Sequence, residues 1–172
     1  MIMLKDYTKR RNELLPLLPQ LFDVLAENMR EIAPTGNSLE DDYAIWTQAM
    51  LNELEKPEKH WVLAFVEEQL AGYVLYRIVG DILHLDEIQV AKPQQGDRKI
   101  FPGLIGKMFY DANKAEVTAF YSYANKRNKK SQGILQAMGL SVISETTWSF
   151  QYYGSFTAAH AWFRNKYSTC GK

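Results

Sequence analysis

Four cations crowd one short turn, with Lys126, Arg127, Lys129 and Lys130 standing around Asn128 just ahead of a short helical pattern. Positive charge at a helix N-terminus is unfavourable by roughly 0.3 to 1 kcal/mol for each exposed side chain. A turn built this way is either an anion-binding site or a solvated basic turn. A second helix N-terminus is expected where the strand pattern ending at Val90 gives way, across 91–99, to a helical stripe. There the helix N-terminus would present unpaired N–H groups to an approaching anion. Glu87 is the candidate for proton transfer. Strand alternation puts it on one face with Leu83, Leu85 and Gln89, and two apolar neighbours on that face would desolvate its carboxyl and make it a stronger base. The alternative is a solvent-facing strand carboxylate. Tyr121 and Tyr123 share one face of a later strand and could reach the same cleft as Glu87, with core or surface filling as the alternative. His84 and Asp86 stand two apart on the opposite face of the Glu87 strand, but with His60 and His160 the remaining histidines no metal-ligand spacing emerges, and no metal site is expected. The chain has no Gly-x-Ser-x-Gly, no Walker-type phosphate loop and no Cys–His pairing, so hydrolase and nucleotidase chemistry have no machinery to use.

The elements that would position these groups follow from hydrophobic period. Leu14, Leu18, Leu21, Leu25, Met29 and Ile32 form a helical stripe whose Pro16 and Pro19 predict a late or kinked start. Residues 33–37 read as a turn. Ser38, three residues before Asp41, is a capping-box variant opening a second helix through Leu39, Tyr43, Trp46, Met50 and Leu54, which Pro57 ends. The period then changes. Trp61 to Val66, Ala71 to Val79 and Ile82 to Val90 predict an antiparallel meander with short turns. Ile100, Phe101, Leu104, Ile105, Met108, Phe109 and Ala112 give the cleanest helical stripe in the chain. A strand over Val117 to Ala124 follows, then a short helix around Ser131 to Met138 with Gly139 as its C-cap, and one long strand from Leu140 to Tyr152. Ser155 to Tyr167 fits neither period cleanly. The fold class implied is mixed α/β: a central twisted mixed sheet of about six or seven strands, antiparallel meander first and strand–helix–strand crossovers after it, flanked by about four helices.

Two segments in this order resemble the GNAT superfamily of N-acetyltransferases. Val90 to Gly96 reads V-A-K-P-Q-Q-G, and Gln95 and Gly96 fall where that family has Gln or Arg followed by Gly at the opening of its cofactor helix. Asn128 to Leu140 reads N-K-K-S-Q-G-I-L-Q-A-M-G-L, and Asn128, Ser131, Ile134, Gly139 and Leu140 match the family's second pattern. The resemblance implies a GNAT-like fold and an acetyl group moved from acetyl-CoA, as co-substrate, to a primary amine by direct attack. It places coenzyme A along Ile88, Gln89 and Val90, along Gln95, Gly96, Asp97, Arg98 and Lys99, and at Asn128 and Ser131. It makes Glu87 the base, directly or through water. Arg98 and Ile100 stand where the family has two further glycines, so Arg98 or Lys99 would supply charge in place of backbone approach. Pro102 implies a helix that starts later, or a looser loop, than the family norm. Leu135 replaces a tyrosine that many members use as the acid protonating the thiolate, which excludes acid catalysis from that position and turns attention to Tyr121 and Tyr123. Trp46, Trp148, Tyr152 and Tyr153 could line an acceptor pocket, with core or dimer packing as the alternative. The competing reading is a catalytically inactive GNAT-like binding or regulatory module.

Composition bounds these readings. The chain has 172 residues, 47% of them hydrophobic, which suits one domain over 1–172. Twenty basic and twenty acidic side chains cancel, so no net field draws the chain to nucleic acid or an anionic membrane. No stretch approaches the roughly 18 apolar residues that a membrane span requires. A lone Cys170 suits a reducing compartment. The expectation is a cytoplasmic protein, monomer or homodimer, whose partners are acetyl-CoA and an unidentified amine.

Overall fold

The computed structural model describes residues 1–168, so Cys170 lies outside the described residues. Among the described residues seven strands form one mixed sheet in the order β1-β2-β3-β4-β5-β7-β6, and five α-helices accompany it. The chain divides into two compact units, one made of 1–75 and 87–105 and the other of 76–86 and the segment from Gly106 onward.

In the first unit β1 (Ile2–Asp6) pairs antiparallel with β2 (Lys59–Val66), Ile2 opposite Val66 and Asp6 opposite Val62. This strand was not expected. Its Lys5 and Asp6 are tolerable because β1 is an edge strand, where one side of the ladder faces away from the sheet. A 3-10 turn over Arg11–Leu17 precedes α1 (Leu18–Met29), so the helix starts late, with Pro19 in its first turn where a missing N–H costs nothing. Ser38 caps α2 (Leu39–Leu54) by accepting from the Asp41 N–H, as the capping pattern predicts. The core of this unit joins Leu14, Leu18, Leu21 and Val24 to Trp61, Leu63 and Phe65 of β2 and to Tyr73 and Leu75 of β3 (Gln69–Val79), and α2 lays Trp46, Met50 and Leu54 against it. Arg11 ties the ends of this layer together. Its guanidinium donates to the carbonyls of Thr8, Leu54, Lys56, Pro57 and Lys59, one for each of its five N–H groups.

In the second unit the first part of β4 (Ile82–Val90) runs parallel to β5 (Ala119–Asn125) through Ile82 to Leu85, the neighbour relation that a strand–helix–strand crossover predicts. The connecting α3 (Ile100–Lys114) buries Met108, Phe109 and Ala112 completely, and Phe109 meets Phe120, Phe156, His160 and Phe163 in one aromatic cluster. The short helix α4 (Lys129–Ala137) ends at Gly139, whose φ of +90° is the left-handed conformation of a helix C-cap. The single long strand expected over Leu140 to Tyr152 is instead a hairpin of β6 (Ser141–Glu145) and β7 (Ser149–Ser155). Its turn carries neither Gly nor Asn. The Thr146 hydroxyl accepts from the N–H groups of Trp148 and Ser149 and closes the bend that glycine would otherwise supply. The closing segment is a helix, α5 (Phe156–Tyr167), capped by Ser155 and anchored by buried Phe156 and Ala159.

Candidate functional site

Glu87 lies past the middle of β4, and its carboxylate accepts a hydrogen bond of 2.6 Å from the phenol of Tyr73 on β3. Tyr73 is fully buried in the core of the first unit. Burial pushes its pKa well above the ordinary value, and the Glu87 charge adds to this, so the phenol stays protonated and acts as a donor. The carboxylate is therefore held beside Tyr73 at half burial. Tyr73 was not anticipated from the sequence, because it belongs to a neighbouring strand and looks like any other apolar-face aromatic.

Beyond Glu87 the two strands come unusually close. A Cβ built on Gly72 would lie 2.6 Å from the Gln89 carbonyl and 3.3 Å from Ile100 and Leu104, so only glycine fits there. The Ala91 N–H donates to the Ala71 carbonyl at 2.9 Å and ends the strand pair. The chain then curls through a 3-10 turn over Lys92–Gln94, with Gln94, Gln95 and Asp97 N–H groups donating to Ala91, Lys92 and Gln94 carbonyls. The first half of α3 starts at Ile100, which places Pro102 in the first turn where its ring is harmless.

Within this loop the expected ligand residues have distinct fates. The Val90 carbonyl accepts from two side chains, Asn28 at 2.9 Å and Gln95 at 3.1 Å, so its lone pairs are already engaged. Gln95 spends its amide on Asn28 and Val90, and Gln89 accepts from Asn28 at 3.0 Å. Asp97 accepts from the Lys99 N–H at 2.8 Å, putting its own carboxylate on one of the N–H groups that open α3. Gly96 meets no other protein atom within 4 Å of where a Cβ would stand, so nothing in the fold requires glycine there. Lys92, Arg98 and Lys99 are exposed around it and supply the positive charge that a phosphate needs.

The other expected residues belong to the second unit. Asn128 caps α4, its side chain accepting from the Ser131 N–H at 3.1 Å, and buried Gln132 braces the preceding turn by donating to the Asn125 and Lys126 carbonyls. Of the four cations, Lys126 pairs with Glu145 and lies over the Phe150 ring, whereas Arg127, Lys129 and Lys130 are exposed and form no ion pair among the described residues. Leu135 is buried core, which accounts for an apolar residue at that position. Tyr121 stands opposite His84 in the parallel pair with ring centroids 5.1 Å apart, and Tyr123 is exposed. Asp86 is engaged by Arg77 through two hydrogen bonds of 2.8 and 3.0 Å. This pairing was missed, although the tight Gly80–Asp81 turn fixes the register that allows it. His84 is held below the ordinary histidine value by burial and then by the Arg77 charge, so it is neutral at pH 7. Among the four aromatics expected at an acceptor pocket, Tyr152 is 1% exposed and belongs to the core, Trp46 packs on the core of the first unit, and Trp148 and Tyr153 are exposed.

No protein-family model matches the chain, and no curated protein matches its sequence. Solved structures do match its fold. A protein assigned to the GNAT acetyltransferase family from Desulfovibrio desulfuricans superposes with a TM-score of 0.69 at 13% identity, over 91% of this chain and 99% of that one. The PaiA N-acetyltransferase of Thermoplasma acidophilum, in complex with coenzyme A, gives 0.68 at 15% identity, over 89% and 99% of the two chains. The Campylobacter jejuni N-acetyltransferase PseH, in complex with acetyl coenzyme A, gives 0.58 at 17% identity, over 90% and 99%. The chain has the fold of the GNAT N-acetyltransferases.

Proposed function

With that fold as premise, we propose that the protein is a single-domain, acetyl-CoA-dependent N-acetyltransferase in which Glu87 takes the proton of an attacking primary amine. The observation that carries the reading is the Tyr73-held carboxylate of Glu87 in β4, immediately before the strand–loop–helix passage over Val90 to Ile100. Acetyl transfer needs an amine that can lose a proton as it attacks, and a half-buried carboxylate is suited to receive it, directly or through water. The co-substrate brings the acetyl group as a thioester. For its diphosphate the proposal assigns Gly96 to Lys99, where the open space at Gly96 and the exposed Arg98 and Lys99 fit an anion. The N–H groups of Ile88 to Val90 are proposed for its pantetheine arm, with the Val90 carbonyl already engaged by the chain. Asn128 and Ser131, with Lys129 and Lys130, are proposed separately as phosphate contacts, and Tyr121 or Tyr123 as the proton donor to the departing thiolate.

The test is thermal unfolding with acetyl-CoA and with coenzyme A, followed by an amine screen for acetyl transfer. Ligand at about a hundred times its dissociation constant adds roughly 2.7 kcal/mol of stability, several degrees for a chain of this size. A shift lost on replacing Arg98 and Lys99 by Glu supports the loop assignment, and one lost on replacing Lys129 and Lys130 by Glu supports the second. A different reading, a GNAT fold that keeps a binding role without transfer, is favoured by the Asp97 carboxylate on the Lys99 N–H and by core Leu135 in place of a proton donor. Ligand-induced stabilisation without transfer to any amine would select it.

A further inference from the structure

We propose that Asn28, on α1 and outside every motif of the cofactor loop, is the positioning residue that holds that loop ready for its ligand. The inference rests on the diphosphate reading for its consequence in binding, but the latch itself does not depend on that reading. Asn28 Nδ2 donates to Gln89 Oε1 at 3.0 Å and to the Val90 carbonyl at 2.9 Å. Its Oδ1 accepts from Gln95 Nε2 at 2.9 Å, and the same Gln95 amide donates to Val90 at 3.1 Å. Both N–H groups and the oxygen of Asn28 are thus engaged, and the ring of contacts joins three segments: the last turn of α1, the end of β4 and the loop before α3.

The chemistry of the ring demands an amide at this position. Aspartate offers no donor to Val90 or Gln89 and would set a negative charge against two oxygens, while alanine removes all three bonds. The backbone hydrogen bonds inside the loop each run over only three residues, from Gln94 to Ala91, Gln95 to Lys92 and Asp97 to Gln94. They curl the loop but act locally. Ala91, at the start of the loop, is held by Ala71 and the core, and beyond it the Asn28 ring carries the loop's position to a helix packed on that core through Leu18, Leu21 and Val24. A loop fixed before its ligand arrives saves the ordering cost that a loose one bears on binding. Gln95, which reads in the sequence as a ligand contact, acts here by fixing the place of Gly96 to Lys99. Because the ring is half-exposed and lies outside the core, its loss falls on the loop more than on global unfolding.

The experiment compares wild type with the near-isosteric N28D and with N28A. Hydrogen exchange of the ligand-free protein should show protection at the Gln94, Gln95 and Asp97 amides falling by about tenfold in both variants, roughly the worth of one net hydrogen bond, with β2 unchanged. Calorimetry with coenzyme A should show the dissociation constant rising about tenfold. With an accepted amine, KM for acetyl-CoA should rise in step while kcat holds. Unchanged loop exchange in N28D overturns the latch, as does a fall in kcat at constant KM. If wild type binds no coenzyme A, the proposed function fails, and the exchange result still decides for or against the latch.

Discussion

A hydrogen bond from a buried phenol to a carboxylate does two separable things, and the Tyr73–Glu87 pair lets each be measured. It fixes the direction in which Glu87 points, and it favours the charged form of the carboxylate over the protonated one. Replacing Glu87 by Gln keeps the shape and removes the base, so kcat/KM should fall by about two to four orders of magnitude with little change in thermal stability. An undiminished rate in E87Q would remove Glu87 from the reaction. Replacing Tyr73 by Phe leaves the ring in the core and the carboxylate without that donor. Stability should drop by roughly 1 to 3 kcal/mol, and the acidic limb of the pH–rate profile should move to higher pH, because protonating the carboxylate becomes easier. A purely structural Tyr73 would change stability and leave the profile where it was. The half-buried place of Glu87 on β4 was legible in the sequence, because strand alternation puts it on one face with Leu83 and Leu85. Tyr73, fourteen positions earlier on the adjacent strand, and Asn28, sixty-seven positions before Gln95, were not. Their roles come from tertiary contacts that no local period records.

At the scale of elements, two glycines in one neighbourhood make opposite demands. Gly72 sits where any Cβ would press into the Gln89 carbonyl, so G72A must push β3 from β4 and should destabilise by about 2 kcal/mol or more. Gly96 faces open space with no requirement from the fold. G96A should therefore melt within about 0.5 kcal/mol of wild type, as an unremarkable surface change does, yet bind coenzyme A measurably more weakly. Equal affinity in G96A would move the diphosphate away from this position. Arg11 is an element-scale part as well, since one guanidinium closes the Thr8 carbonyl after β1 and four more between the end of α2 and the start of β2. Lysine cannot reproduce that fork, and R11K should cost about 1 to 3 kcal/mol in denaturant melts. The elements read correctly from sequence are those with one dominant period or a visible cap: α2 behind Ser38, α3, the meander, and Gly139 after α4. Those missed, misread or left open carry no such mark. β1 is a charged edge strand, the β6–β7 turn is closed by a threonine hydroxyl rather than a glycine, and α5 interleaves Phe156, Ala159 and Phe163 with polar residues that suit either period.

For the whole molecule, the balanced charge removes any long-range field, and pH acts through a few local groups instead. Glu53 is one. Burial works to raise its pKa, but hydrogen bonds from Lys56 and Lys59 outweigh burial and hold it below 4.5, so its stabilisation is present at neutral pH and is lost as pH falls through the acid range below that value. His84 and His160 act in an earlier window. Burial, then the charge of Arg77 for His84 and of Arg164 for His160, lowers both below 6.5, with Asp86 opposing the shift at His84. Above 6.5 both imidazoles are neutral whether the chain is folded or unfolded, and they contribute nothing to the slope. As pH falls through 6.5 the unfolded chain binds protons that the folded chain refuses, so folding stability declines. Denaturant melts between pH 7.5 and 5.5 should show this decline, and H84Q and H160Q should each flatten it, whatever offset either substitution adds at pH 7.5. A slope that survives unchanged in the double variant would mean that the folded chain accepts protons at these sites as readily as the unfolded one. Burial would then not be what keeps His84 neutral against Tyr121, or His160 neutral against Phe109.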